Sequence, residues 1–141
     1  MTSCLIDTAS RAWHAAGAFL RDRVRSHGVL REVEQLTPED QARIFGEYGL
    51  THEEFAAGMR RPFASQDLLS AAMRALGIDR TAVTRQDAGL ERDMRRVCMG
   101  CRHRLRCHGE LERAAFASRY PFFCLNRGSF AQIRRSRQPV S

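Results

Sequence analysis

The sequence predicts an all-α fold, a small multi-helix domain with a four-cysteine metal or cluster loop near its C-terminus. Three observations carry that expectation. Apolar residues recur at three- and four-residue steps along most of the chain, the period of one helix face. Helix start and stop signals punctuate these stripes, with Thr, Ser or Asp ahead of them and Gly behind several. No stretch alternates convincingly with period two, so no sheet is expected.

The first stripe runs from about Thr8 to His27, with Trp13, Ala16, Leu20 and Val24 on one face and Arg21, Asp22, Arg23 and Arg25 mostly elsewhere. It reads as an amphipathic helix packed on the domain, the alternative being an arm for a partner or a membrane surface. His27-Gly28 is its stop signal, and residues 29–36 read as a connector or a short helical turn. Residues 1–35 thus form an N-terminal helix and connector ahead of a helical cysteine-site domain at 36–137. At 141 residues the whole is one globular domain.

Thr37 caps the next helix, which Pro38, Glu39 and Asp40 open. Ile44, Phe45 and Tyr48 are its buried stripe and Gly49 its end. Thr51 and Glu54 form a capping box for a helix through Phe55 to about Met59, ended by Arg61-Pro62. Ser65 caps a third, with Leu68, Leu69, Ala72, Met73 and Leu76 inward and Gly77 behind it. Asp79 caps a short turn through Val83. Asp87 begins a helix with Leu90, Met94 and Val97 that delivers Cys98 at its C-terminal end. Gly109 to Ser118 reads as a helix with Leu111 and Ala115 inward, Phe116 being the third candidate, and Tyr120-Pro121 breaks it. Asn126 caps a last helix bearing Phe130 and Ile133, which ends in Arg134, Arg135 and Arg137.

The two helices around Gly49-Leu50-Thr51 resemble a helix-turn-helix. Two details argue against DNA reading. Phe45 lies where close helix approach wants a small side chain, and His52-Glu53-Glu54 would set carboxylates against phosphates. Two capped helices around a glycine turn are ordinary all-α architecture.

No run approaches the roughly 18 apolar residues of a membrane span. Arg11, Arg21, Asp22 and Arg23 interrupt any secretory h-region, so the cytoplasm is the expected location. Charge is unevenly divided. Residues 1–91 carry 11 Arg and 13 Asp or Glu, a net of −2, whereas residues 92–141 carry 12 Arg and 3 acids, a net of +9. Every one of these cations is Arg, because the chain has no Lys.

Four of the five cysteines fall in that basic part, as Cys98-x2-Cys101-x5-Cys107-x16-Cys124. In a chain with no export signal, crowded thiols favour metal binding over disulfides. Cys4 stands alone near the start and reads as a thiol without a role. Two thiolates three residues apart grip one metal from a single turn, and a third and fourth close the shell. Four thiolates around Zn²⁺, or around an oxidised [4Fe-4S] cluster, leave a net charge of about −2, which nearby guanidinium groups stabilise. Zinc accepts four thiolates, but its second half-site is usually another close pair, and Cys107 and Cys124 are a helix apart. His103 and His108 could replace one thiol, although histidines among arginines are more often solvated. A cluster tolerates scattered ligands better, because each cysteine binds a different corner of a cube.

The trio Cys98, Cys101, Cys107 with a remote fourth cysteine resembles the [4Fe-4S] loops of the endonuclease III family and of WhiB-like regulators. There the remote cysteine precedes the trio; here it is Cys124, after it. At the level of the domain, Leu36-Thr37-Pro38-Glu39-Asp40, Gly49-Leu50-Thr51, the helix from Leu68-Leu69 to Leu76-Gly77, Asp93, Val97-Cys98-x-x-Cys101, Arg106-Cys107 and Cys124-x-Asn126 resemble the bacterial family catalogued as domain of unknown function 6455, over roughly residues 36–135. Phe45 and Leu125 depart from its pattern. The resemblance implies an α-helical cysteine-site protein and brings no reaction.

The expected function is electron transfer or the sensing of redox state, gas or iron through a [4Fe-4S] cluster on Cys98, Cys101, Cys107 and Cys124. Arg102, Arg104 and Arg106 would tune its potential and present a basic docking face to an acidic redox or regulatory protein. Met99, Leu105, Phe122 and Phe123 would exclude water, or simply be core. The alternative is a zinc-stapled adaptor whose Arg-rich C-terminal half binds nucleic acid or an acidic protein, although aromatics for base stacking are few. Catalysis has little support, since the chain holds no Gly-rich phosphate loop, nucleophile elbow or recognisable acid-base dyad.

Overall fold

The computed structural model describes residues 2–137, with side chains from Thr8 onward. Cys4 therefore lies outside the residues whose side chains are described. Among the described residues there are nine α-helices, one 3-10 turn and no strand. No described helix is long and apolar enough to cross a membrane.

Helix α1 spans Thr2–Glu34 and does not stop at His27-Gly28. Gly28 is not among the left-handed residues, and Leu30 and Val33 beyond it pack on Phe45, Phe55 and Met59, which carries the helix a further two turns. The face that packs is also not the apolar one. Trp13 is 80% exposed and Val24 74%, with Leu20 also in water, because polar anchors decide the orientation. The buried Asp22 carboxylate accepts a hydrogen bond from the Ser65 backbone N–H at 3.0 Å and another from the Ser65 hydroxyl. Arg23 donates to the carbonyls of Met59 at 3.1 Å, Arg60 at 2.7 Å and Arg61, orphan acceptors at a helix C-terminus. Phe19 meets Phe63 edge-on, with ring centroids 6.0 Å apart.

Helices α2 (Pro38–Tyr48) and α3 (His52–Met59) start as their caps dictate. Thr37 accepts from the Asp40 N–H at 3.2 Å and Thr51 from the Glu54 N–H at 3.1 Å. Gly49 turns the chain between them at φ +67°. Helix α4 (Leu68–Ala75) is capped by Asp67, which accepts from the Ser70 N–H and hydroxyl. Ser65, the expected cap, is held by Asp22 instead. Asp79 and Asp87 cap α5 (Arg80–Gln86) and α6 (Ala88–Met99).

The expected helix over 109–118 is two elements. Helix α7 begins earlier and spans Arg104–Glu112, and α8 is a single turn at Phe116–Arg119. The chain bends between them at Ala114, φ +55°, where the Ala115 N–H donates to the Glu110 carbonyl at 2.8 Å. That turn swings Phe116 into the interior. A 3-10 turn at Tyr120–Phe122 and α9 (Arg127–Ser136) complete the chain. Asn126 does not cap α9 with its side chain; its Nδ2 donates to the Met94 carbonyl at 3.0 Å, tying α9 to α6.

Helix α4 contacts α6, α7 and α8. The main core lies around it, with Met73, Met94, Phe116, Phe123 and Phe130 at its centre and Cys98, Cys107 and Cys124 packed on its edge. A smaller cluster of Phe45, Phe55 and Met59 joins α1, α2 and α3, with Met99 of α6 against it.

Candidate functional site

The four C-terminal cysteines reach one place from three stretches of backbone. Cys98 stands in the last turn of α6, and Cys101 follows in the turn beyond it, its N–H donating to the Cys98 carbonyl at 3.3 Å. Cys107 sits in the first turns of α7, and Cys124 just past the 3-10 turn, its N–H donating to the Tyr120 carbonyl at 2.9 Å. All four are free thiols, half-buried, and line a single apolar cavity of about 20 Å³ together with Leu68, Phe123 and Leu125. That volume is about one water molecule. Among the described residues, no three His, Cys, Asp or Glu side chains form a group that could hold a metal ion.

Polar groups nevertheless stand against three of the sulfurs. The His103 N–H donates to Cys101 Sγ at 3.3 Å, the Asn126 backbone N–H bonds to the Cys124 thiol, and Arg104 Nη1 lies 3.8 Å from Cys98 Sγ. Burial is the largest influence on the thiols and pushes Cys98, Cys107 and Cys124 up, Cys107 to about 12 and Cys124 to about 11. The charges of the neighbouring cysteines raise all three further, whereas Arg104 opposes the rise at Cys98 and Cys107. Burial thus favours the protonated thiol at Cys98, Cys107 and Cys124. A metal or cluster bound there would have to displace those protons, and the cavity of about 20 Å³ that the four sulfurs line is far smaller than a four-iron cube.

Arg104 is not a docking residue. It is 4% exposed, and its guanidinium donates to the carbonyls of Cys98 at 2.7 Å, Phe63 at 2.7 Å, Gln66 at 2.9 Å and Pro62 at 3.2 Å. It fastens the 62–67 loop to the end of α6, with its charge directed at the sulfurs. Arg102 and Arg106 are exposed as expected, Arg106 lying 4.7 Å over the Phe123 ring. Of the four residues expected to exclude water, Phe123 is buried and lines the cavity, Met99 packs on the Phe45 cluster, and Leu105 and Phe122 face solvent. The two histidines stay out of the cavity. His108 is not solvated; it stacks on Phe63 with ring centroids 3.7 Å apart, and its Nδ1 is 3.1 Å from Gln66 Oε1.

Cys98 also borders a second cavity, of about 280 Å³, that no residue spacing signals. A charge network forms one wall. Arg80 and Arg95 both bind the buried Glu91 at 2.6 Å, Arg80 also binds Asp67 at 2.7 Å, and Arg95 lies 4.9 Å over the Tyr48 ring. Burial alone would raise the Glu91 carboxyl, but Arg95 and Arg80 outweigh it and hold it below its ordinary value. The network joins α4, α5 and α6 and so fixes the helix that carries Cys98.

The sequence profile of a family of unknown function (DUF6455) matches residues 58–136, a span that covers more than half the chain and includes all four cysteines. It starts at Gly58, so Leu36–Asp40 and Gly49–Thr51 lie outside it. No curated protein and no solved structure matches the chain.

Proposed function

Since the chain belongs to the family of unknown function (DUF6455), a membership that assigns no reaction, we propose a function from its cysteine site: a small iron–sulfur protein acting in electron transfer or in the sensing of redox state, gas or iron. Cys98, Cys101, Cys107 and Cys124 would hold one [4Fe-4S] cluster. The observation that carries this reading is that all four line one cavity although 26 positions separate the first from the last. A bound cluster supplies reversible uptake of a single electron. The chain's own residues would do the rest. The N–H groups of His103 and Asn126 and the guanidinium of Arg104 stabilise negative charge on the sulfurs, which favours the reduced state. Leu68 and Phe123 keep water from the inner side. Val97 and Leu125 line the same cavity but are partly exposed, marking its outer rim, and the exposed Arg102 and Arg106 would dock an acidic partner.

A structural zinc on the same thiolates is the second reading, favoured by the cavity's single-water size. The chain would then be an adaptor, binding an acidic protein or nucleic acid through its arginines. Iron, acid-labile sulfide and zinc quantified on one sample purified without oxygen separate the two. About four irons and four sulfides per chain, with absorbance near 400 nm, are expected. One zinc per chain and no colour after anaerobic reconstitution would refute the redox reading.

A further inference from the structure

Helix α1 has two faces, and the domain uses only one. Phe19, Asp22, Ser26 and Leu30 turn inward, whereas Trp13, Leu20 and Val24 stand in water with the exposed Ala16 among them. At about 3.6 residues per turn these four form one stripe, roughly 16 Å long from Trp13 to Val24. Scattered exposed apolar residues need no explanation, but a continuous stripe headed by tryptophan does.

The charge around it has one sign. Arg21 and Arg25 are exposed along one border. Between Thr8 and Arg31 the only acidic residue is Asp22, which is buried against Ser65 on the opposite side. A second copy docking through the same stripe would set the arginine borders against each other, since the next acids along α1, Asp7 and Glu32, lie beyond the two ends of the stripe. Nucleic acid would meet the arginines and leave the tryptophan and aliphatics unused. A lipid surface with anionic headgroups satisfies both, because tryptophan and aliphatic side chains enter the headgroup boundary while arginines hold phosphates.

We infer that α1 is a lipid-surface helix, with its Trp13–Val24 stripe lying in the interface of an anionic bilayer. Trp13 and Asp22 are nine residues apart, about two and a half turns, so they point in opposite directions. The domain therefore hangs from the side of α1 that faces away from the membrane and does not obstruct contact. The helix is not apolar enough to cross the bilayer, so it lies on the surface.

Trp13 is the chain's only tryptophan, so emission excited selectively at tryptophan, beyond the absorption of Tyr48 and Tyr120, reports this stripe alone. The purified full chain is titrated with phosphatidylcholine vesicles containing phosphatidylglycerol, and with phosphatidylcholine alone. Emission should shift to the blue, with co-sedimentation, on the anionic vesicles only, and salt should reverse it. Leu20→Ser with Val24→Ser should weaken partitioning at least about tenfold, and Arg21→Glu with Arg25→Glu should abolish it. Circular dichroism should be unchanged in both variants, since all four side chains are exposed. Unshifted emission on anionic vesicles would overturn the inference. So would a blue shift that grows with protein concentration in the absence of lipid, which marks self-association, or an equal shift with duplex DNA.

Discussion

Arg104 donates to four carbonyls at once and turns the rest of its charge toward Cys98. Replacing it with Met would leave those acceptors buried and unpaired, at a cost of about 3 kcal/mol or more. Urea melts of Arg104→Met should show that loss together with poor metal retention. Arg102→Ala, at an exposed position, should change stability by less than about 0.5 kcal/mol and weaken only partner docking. The thiols give a second prediction. Burial and mutual charge lift Cys107 to about 12 and Cys124 to about 11, above the roughly 8.5 of a thiol in the unfolded chain. The folded metal-free protein thus binds protons more tightly than the unfolded one between those values. The thiols' contribution to stability is fully present below about pH 8.5 and is lost as pH rises toward 12. Denaturation midpoints of the metal-free chain should be lower at pH 10 than at pH 7. Metal loading has the opposite slope, because it releases those protons, and apparent affinity should rise with pH.

Gly58 of α3 packs directly against Met99 at the end of α6. A Cβ there would stand 2.7 Å from the Met99 side chain and 3.3 Å from its carbonyl. Gly58→Ala should cost about 1–3 kcal/mol, measured by thermal melting, and should displace the end of α6 that bears Cys98, lowering metal content with it. The helices that were legible in the sequence are those with local signals. Thr37, Thr51, Asp79 and Asp87 cap within three residues of themselves, so each start needed nothing from the rest of the fold. The failures have distant or unsignalled causes. Ser65 lost its capping role to Asp22, 43 positions away; α1 took its orientation from Asp22 and Arg23 rather than from its apolar stripe; and the bend at Ala114 uses a left-handed residue that is not glycine.

Across the whole molecule, the cysteines join the ends of α6 and α7 to the segment entering α9, and α4 packs against both α6 and α7. Removing a bound metal should therefore loosen residues 97–137 more than α1, which is anchored to α3 and the Ser65 loop; hydrogen exchange with and without chelator would show the difference. The spacing of the cysteines pointed to one place, and the chain does bring them to one cavity. Spacing carried no sign that Arg104 and His108 would turn inward, because both are held by the 62–67 loop, about 40 positions earlier. It also cannot tell one metal from another, since zinc and iron–sulfur clusters share thiolate ligands. On the proposed function, four thiolates, the remote Cys124 included, act on a single bound group. Metal and sulfide content of anaerobically reconstituted Cys124→Ser, beside Cys4→Ser as control, tests it most directly. Cys124→Ser should lose the cluster or keep a three-iron remnant, while Cys4→Ser should retain all of it. Full iron and sulfide in Cys124→Ser would contradict the proposed function.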